Sequence, residues 1–344
     1  MSGVVLVDWL GRGGIAQASA CWAAELRRTG RDVSVVTRGG RELADLLPGV
    51  TGAGEGRRQL AAHRAVAEAA AAVIRTGRPD TVVIQNYVLP ALEHPVYRAA
   101  RAVGARLVVV IHDHRLHTVL AGNRIGLRRN LDRADVVAAH SQFVADGINR
   151  LTTRAVHILP LPLHLVMFAP DPSDPCPRAE GDLGGIHFGI LKRRYKGTAL
   201  VAELAREGVP DWRFTLVGAG APASLPGATT VPRFAEASEL MALVGEADAA
   251  LLPYSMATQS GAVALAQALG TVPVASAVGG IPEQIVDGET GRLVPAGAST
   301  GAWRDVLGEL AADRAGLYAM GRRARACARE AHDRFRAAVI SMAG

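Results

Sequence analysis

The only two lysines in the sequence, Lys192 and Lys196, lie in one short stretch, Phe188-Gly189-Ile190-Leu191-Lys192-Arg193-Arg194-Tyr195-Lys196-Gly197. All other cationic side chains, histidine aside, are Arg. A chain that uses Arg by default keeps Lys where a compact, strongly hydrated point charge is useful. Here Lys192, Arg193, Arg194 and Lys196 follow an apolar run and precede a helical pattern. Cations at the carboxyl end of a strand can neutralise a diphosphate, as Lys and Arg clamps do for phosphoryl groups. The alternative is a solvated basic loop.

A second segment, Tyr254-Ser255-Met256-Ala257-Thr258-Gln259-Ser260-Gly261-Ala262, also runs from an apolar strand into a helix. Gln259, Ser260 and Gly261 fall at the helix start, where a hydroxyl and free backbone amides can bind phosphate oxygens. Ser is equally a preferred N-cap. Gly218 ends another strand, and Gly279-Gly280 forms a close-approach loop ahead of Glu283, which could hold ribose hydroxyls or cap a turn. Near the N-terminus, Gly11-Arg12-Gly13-Gly14 joins a strand to a helix. Gly13 and Gly14 can admit an anionic ligand to the backbone or simply make a tight turn. The spacing is not GxGxxG, and the next strand ends in Thr37-Arg38 rather than an acid, which argues against a dinucleotide oxidoreductase.

Three further strand ends carry polar side chains: Gln85-Asn86-Tyr87, His112-Asp113-His114 with His117 nearby, and His140-Ser141. Asn86, Tyr87, His114 and His140 are candidate acceptor contacts. A His-Asp-His run can also bind metal, but adjacent residues point in different directions and no fourth ligand is evident.

These residues need an α/β frame to hold them. Val4 to Asp8 reads as a buried strand, Ile15 to Arg28 as a helix and Val33 to Val36 as the next strand. Helices follow at Leu60–Arg75, Pro95–Val103, Asn123–Asp132 and Gln142–Leu151, with strands at Thr81–Gln85, Arg106–His112 and Val136–His140. This alternation predicts a parallel sheet. Six prolines between Pro160 and Pro177 mark a linker. A second alternation follows, with strands at Ile186–Ile190, Arg213–Val217, Ala249–Leu252 and Val272–Ser276. Its helices are Gly197–Glu207, Ala237–Glu246, Gly261–Leu269, Thr300–Ala312 and Arg314–Met342. The expected fold class is α/β: two Rossmann-like, doubly wound parallel-sheet domains facing a cleft. The expected divisions are an N-terminal domain over 1–163, a linker over 164–182, a second domain over 183–320, and a C-terminal helix over 321–344 packing back on the first domain.

Together these segments resemble the GT-B glycosyltransferases, specifically the retaining glycosyltransferase family 4. That family has a Gly-Arg-Leu…Lys-Gly segment, a Glu-bearing donor loop and a Pro-Val…Gly-Gly-x-x-Glu segment, in that order. Phe188 to Gly197, Ala257 to Gly270, and Pro273 to Glu283 with Asp287 to Leu293 stand in those places. Val217-Gly218-Ala219-Gly220 resembles the family's Val-Gly-x-Gly strand end, and Gly13-Gly14, Gly30 to Val36 and His112 fit its first domain more loosely. The two glutamates of the usual donor loop fall at Ala257 and Leu265, so both are missing. The loop is instead similar to a bacterial branch with Ala-Thr-Gln-Ser-Gly and a Phe-Gly…Tyr-Lys-Gly strand end.

The resemblance implies retaining transfer of a sugar from a nucleotide-sugar to a hydroxyl acceptor. No donor-side nucleophile is obvious, which favours front-face displacement, and protein cations with a helix end can replace a metal, so no metal or other cofactor is expected. Lys196, with Lys192 or Arg193, would stabilise the leaving diphosphate, Ser260 and Gly261 would add hydrogen bonds, and His112 would orient the sugar. The missing glutamates keep a non-catalytic nucleotide-sugar binder open, and the fold keeps a sugar-nucleotide epimerase or a pseudo-glycosyltransferase open.

Bulk properties agree with a soluble globular protein. The 344 residues suggest about two domains. A hydrophobic content of 49% with 20% charge fits a globular chain. The net charge of +6 can serve nucleic acid, anionic lipid or a phosphate-bearing small molecule, or can follow from an Ala-, Arg- and Gly-rich composition, while 4% aromatics argue against nucleic-acid stacking platforms. No signal segment or disulfide framework is evident, so a cytoplasmic location is expected. The Arg322 to Arg336 stretch reads as a solvated helix face, with a peripheral contact to anionic membrane as the alternative.

Overall fold

The computed structural model describes residues 3–39, 42–115, 122–162 and 181–344. The chain divides into two compact units, Met1–His164 with His332–Gly344, and Leu165–Ala331. Most of the Pro-rich stretch, and His117, lie outside the described residues.

The first unit runs β1 (Gly3–Asp8), α1 (Gly13–Arg28), β2 (Asp32–Arg38), α2 (Glu42–Leu46), β3 (Val50–Ala53), α3 (Gln59–Gly77) and β4 (Thr81–Gln85). It continues with α4 (Pro90–Ala102), β5 (Arg106–Ile111), α5 (Asn123–Arg133), β6 (Val136–Ala139), α6 (Gln142–Asn149) and β7 (Val156–Ile158). Its strands form one parallel sheet in the order β3-β2-β1-β4-β5-β6-β7. Val5, Val7, Val82, Ile84, Leu107 and Val109 are buried in one cluster with the small residues Ala67, Ala70 and Ala71 of α3. Each fully buried Val, Leu or Ile contributes about 1.5–3 kcal/mol. The α4 helix starts a turn earlier than its Pro95 suggests, because Pro90 takes the first helical position, where a missing N–H costs nothing.

The second unit begins with β8 (Leu183–Phe188), followed by a 3-10 turn (Arg194–Lys196), α7 (Thr198–Glu207), β9 (Trp212–Val217), β10 (Ala228–Val231) and α8 (Ala237–Gly245). It continues through β11 (Ala249–Leu252), α9 (Gly261–Leu269), β12 (Val272–Ser276), a 3-10 turn (Ile281–Glu283), β13 (Arg292–Val294), α10 (Thr300–Ala312) and α11 (Arg314–Ala343). Its sheet, also parallel, has the order β10-β9-β8-β11-β12-β13. Trp212 donates its indole N–H to the Leu307 carbonyl at 3.0 Å, fixing α10 to the sheet.

The last residues of α11 belong to the first unit. Phe335 packs edge-on against Trp22 of α1 at 6.1 Å. The buried Glu25 carboxylate lies 3.1 Å from Arg336 Nε and 3.3 Å from His332 Nε2. The final carbonyls, which have no partner inside the helix, accept hydrogen bonds from Arg31 (2.6 Å), Thr81 (2.8 Å) and Arg106 (2.8 Å). Cations at a helix C-terminus also complement its dipole. The Arg322 to Arg336 stretch is therefore not simply a solvated face: Arg325 is buried and Arg336 is paired. Among the described residues, no helix is long and apolar enough to cross a membrane.

Candidate functional site

In a doubly wound sheet, ligands bind beyond the carboxyl ends of the strands where the strand order reverses. In the second unit that reversal falls between β8 and β11. The loop after β8 carries the lysines, and the loop after β11 carries Tyr254. Both loops are pinned by backbone contacts. Lys192 N donates to the Ala219 carbonyl at 3.0 Å and Ser255 N donates to the Tyr195 carbonyl at 2.9 Å. Gly197 and Gly218 make these approaches sterically accessible. A Cβ on Gly197 would lie 2.0 Å from the Pro253 oxygen, and one on Gly218 would lie 1.8 Å from the Gly189 oxygen. His187, fully buried in β8, donates from Nδ1 to the Leu251 carbonyl at 2.7 Å. Its burial pushes the imidazole down to about 4, so it bridges β8 and β11 as a neutral group.

Lys196 is the centre of this site. Its Nζ donates to Tyr254 Oη at 2.6 Å and stands 4.0 Å from the centre of the Tyr254 ring. Burial pushes the ammonium down to about 8. Burial also raises Tyr254, partly offset by a side-chain hydrogen bond with Ser260. Lys196, Tyr254 and Ser260 thus form one chain from the strand β8 end to the start of α9.

Ser260 is already engaged. Its Oγ accepts from Val263 N at 3.2 Å, capping α9, and its amide donates to Gln284 Oε1 at 2.7 Å. Gln284 Nε2 returns a hydrogen bond to the Ser260 carbonyl at 3.1 Å. The free amide expected at this residue is therefore occupied from within, because a helix N-terminus left unsatisfied in a partly buried place is costly. Gly261, the first residue of α9, is exposed, and Gln259 is half-buried. Lys192 and Arg193 are exposed, so the structure joins Lys196 alone of the three to the buried network. Gly279 is exposed with φ of 56°, Gly280 is buried, and Glu283 is exposed on its 3-10 turn.

The removal of one hydroxyl tests the lysine's anchorage. Tyr254→Phe keeps the ring and deletes the acceptor 2.6 Å from Lys196. Hydrogen bonds to charged groups are worth about 1.5–3 kcal/mol. We expect affinity for a diphosphate, read by calorimetry, to fall by roughly tenfold. Unaltered affinity would remove Tyr254 from the site.

In the first unit the strand order reverses between β1 and β4. Asp8, fully buried, accepts from the amides of Leu10 (2.9 Å) and Gly11 (2.8 Å) and from the Ser19 hydroxyl (2.8 Å), which shapes the loop into α1. Gly13 N donates to Glu42 Oε2 at 2.8 Å. The anion at this helix start, next to Gly14, is therefore a side chain of the protein itself. That differs from the ligand contact expected there, and follows from the same attraction of a carboxylate to helix amides.

His112 lies just past β5. Its Nε2 donates to Gln85 Oε1 at 2.8 Å, and its amide donates to Asn86 Oδ1 at 3.3 Å. Its ring meets that of His140 at 4.6 Å. His140 donates from Nδ1 to the Leu159 carbonyl at 3.0 Å, and burial pushes it down to about 4. It is therefore neutral, with Nε2 left as an acceptor. That atom, Gln85 Nε2 and Tyr87 Oη are buried without a hydrogen-bond partner among the described residues. Buried polar atoms normally find partners, and these three, with His114 Nδ1, lie without one at or past the ends of β4, β5 and β6, a candidate place for a polar ligand. The His114 ring packs edge-on against Phe143 at 5.2 Å and fills the space over Gly147, and its Nδ1 is buried without a hydrogen-bond partner among the described residues. Among the described residues, no group of three or more His, Cys, Asp or Glu side chains could hold a metal ion.

The sequence matches of the two units agree with this division. Residues 13–164 match the glycosyl transferase 4-like domain, and residues 186–313 match the glycosyl transferases group 1 family. No curated protein matches the chain in sequence. Solved structures share the fold. Sucrose-phosphate synthase from Thermosynechococcus elongatus is 16% identical with a TM-score of 0.75, covering 99% of this chain and 97% of that one. Anabaena HepE in complex with UDP-glucose is 16% identical with a TM-score of 0.72, covering 100% and 97%. A putative UDP-N-acetylglucosamine 2-epimerase from Listeria monocytogenes is 12% identical with a TM-score of 0.66, covering 93% and 91%. The fold is GT-B. Within that fold, the first unit carries the stretch that matches the 4-like domain and the second unit the stretch that matches the group 1 family.

Sequence reasoning did not single out Tyr254 as Lys196's partner, nor Gln284 as the brace of Ser260. Nor did it find Trp9, His63 and Glu93 around Asn86. The signal for Tyr254 was present, as an aromatic at the end of an apolar strand. Gln284, Trp9 and His63 are distant in sequence from what they brace, Glu93 lies only four and five residues past the amides it accepts from, and none carries a motif.

Proposed function

We propose that this protein is a retaining glycosyltransferase of the family 4 type, moving a sugar from a nucleotide diphosphate-sugar to a hydroxyl acceptor. The observation that carries this reading is the Lys196–Tyr254–Ser260 chain at the strand-order reversal of the group 1 domain. Lys196 meets the diphosphate, and its charge grows in importance as the leaving group gains charge in the transition state. Lys192 and Arg193 add attraction from the exposed rim. Gly261 offers an amide at the α9 start, where the dipole favours an anion. Glu283 lies on the turn after Gly279-Gly280 and is assigned to the ribose. Protein cations and a helix end take the part of a metal, so none is required. Retention with no donor-side nucleophile assigned favours front-face displacement.

The first unit supplies the acceptor side. The orphaned Gln85 Nε2, Tyr87 Oη and His140 Nε2 offer donors and acceptors without net charge, the chemistry of an uncharged polyhydroxyl group. His112, neighbouring two of them, is assigned to orienting the sugar.

A second reading, epimerisation of a sugar-nucleotide, draws on the likeness in fold to an epimerase. One assay separates the readings. UDP or GDP is expected to raise the melting temperature, NAD is not, and a chelator leaves the shift unchanged. Turnover of a nucleotide-sugar that depends on added acceptor, with the sugar found on the acceptor by mass spectrometry, identifies a transferase. Stabilisation by NAD alone contradicts the proposal, and a donor isomer formed without acceptor points to the epimerase.

A further inference from the structure

The strand-order reversal of the first unit is filled by a buried clamp. Trp9, just past β1, donates from its indole N–H to the Asn86 carbonyl at 3.2 Å, and so spans the β1 and β4 ends. Asn86 adopts a left-handed conformation with φ of 64°, a region that Asn tolerates better than other residues with a Cβ. It is held there from several sides. Its amide donates to the Val110 carbonyl at 2.7 Å, its carbonyl receives Trp9, and its Oδ1 receives the His112 amide at 3.3 Å.

Behind this loop sits a fully buried carboxylate. Glu93 of α4 accepts from the amides of Val88 and Leu89 through one oxygen, at 2.7 Å each. The same oxygen lies 3.2 Å from His63 Nε2 of α3 without hydrogen-bond geometry, the other Glu93 oxygen has no partner among the described residues, and the His63 ring packs tilted against Trp9 at 4.8 Å with 31° between planes. Two hydrogen-bonded links carry the clamp: Trp9 holds Asn86, and Glu93 holds the Val88 and Leu89 amides that follow it. His63 packs between Trp9 and Glu93 without a hydrogen bond to either among the described residues. A buried carboxylate is retained only where hydrogen bonds and a partner offset its desolvation. Here those partners are the amides of the loop that ends β4, the loop bearing Asn86 and Tyr87.

We infer that Trp9, His63 and Glu93 are positioning residues for transfer: they lock the Asn86–Leu89 loop, and through Asn86 Oδ1 they set the position of His112. This rests on the proposed role of His112 and of the β4 end on the acceptor side. None of the three is assigned a contact with substrate. The clamp acts on acceptor use and turnover, and leaves diphosphate binding by the second unit alone.

Two variants test it. Glu93→Gln keeps the shape and one acceptor oxygen but removes the charge. Trp9→Phe removes the indole donor and some buried volume but keeps a ring against His63, so it serves where Glu93→Gln does not fold. For each, turnover is expected to fall roughly tenfold, the scale of one lost positioned hydrogen bond. Acceptor KM rises, while donor KM and UDP affinity stay at wild-type values. Amide exchange, followed by mass spectrometry without substrate, is expected to quicken in the peptides holding Asn86 to Leu89 and His112, and to stay unchanged in those around Lys196. The exchange arm needs no turnover, so it judges the clamp even if glycosyl transfer is not the activity. Unchanged exchange at Asn86–Leu89 in a folded variant overturns the clamp. Quickened exchange with wild-type turnover and acceptor KM overturns its role in transfer, as does a loss of UDP affinity equal to the loss of turnover.

Discussion

Lys196→Ala is expected to lower turnover by about 10²–10³, the range for removing one preorganised group that meets developing charge. The alanine removes the charge and also leaves Tyr254 Oη without the donor it has at 2.6 Å. The pH dependence separates charge from packing. Burial holds the Lys196 ammonium at about 8, below its ordinary value of 10.5. A lysine shifted down is charged below that pH and loses its charge as the pH rises through it. An incoming diphosphate favours the charged form. Above about 8 binding must therefore take up a proton, and donor kcat/KM should be level below that pH and fall above it. Lys196→Arg should lack this alkaline limb, because a guanidinium stays charged throughout. Near wild-type activity in Lys196→Ala, or the same limb in Lys196→Arg, would remove Lys196 from its assigned role. His187, the nearby buried imidazole at about 4, is neutral on both sides of this range and adds no limb there.

The second large effect is on stability. Gly197→Ala places a methyl group 2.0 Å from the Pro253 carbonyl oxygen, in a residue whose φ is 68°. The left-handed conformation alone costs about 1–2 kcal/mol. The contact cannot be relieved by a side-chain rotation, because the opposing atom is backbone. A total of about 3 kcal/mol or more is expected, in the range tied to steric strain in a core. For a domain of this size that lowers Tm by about 6–12 °C. Gly261→Ala is the control: it has open space around the added Cβ and no positive φ. It should stay within about 0.5 kcal/mol of the parent. Calorimetric scans of both variants decide the matter; equal melting temperatures would mean that the Lys196 and Tyr254 loops do not approach as described. Because Gly197 directly follows Lys196, any folded Gly197→Ala protein should also lose affinity for UDP.

The strands whose existence was hardest to read are instructive. Buried central strands such as β1, β4, β5 and β11 are short apolar runs, and their pattern is plain in the sequence. The strands β3, β7, β10 and β13 were not anticipated, and each lies at an edge of its sheet. Edge strands are half solvated, so Val-Thr-Gly-Ala or Ala-Thr-Thr-Val has no need of an apolar run. What makes these segments strands is the neighbour that pairs with them, which periodicity does not encode.

The site divides in the same way. The lysine-bearing loop, the α9 start, the Gly279-Gly280 loop and the polar strand ends were all legible, because a parallel α/β order puts the ends of its strands on one edge. The occupants of those positions were not. Glu42 takes the amide of Gly13 from 29 residues away, and Gln284 takes that of Ser260 from 24 residues away. Whether an amide at a helix start is free for a ligand depends on which distant side chain reaches it.

By itself the sequence determined two doubly wound domains, a diphosphate-suited lysine loop and a missing pair of glutamates. Alternation and composition act locally and survive without coordinates. The tertiary structure alone decided that Lys196 rests on Tyr254, that His140 is neutral with an unpaired nitrogen, and that Trp9, His63 and Glu93 close around Asn86. Each of these is a matter of desolvation and of hydrogen bonds between residues far apart in the chain. Such energies exist only once the fold has brought the groups together and excluded water from them.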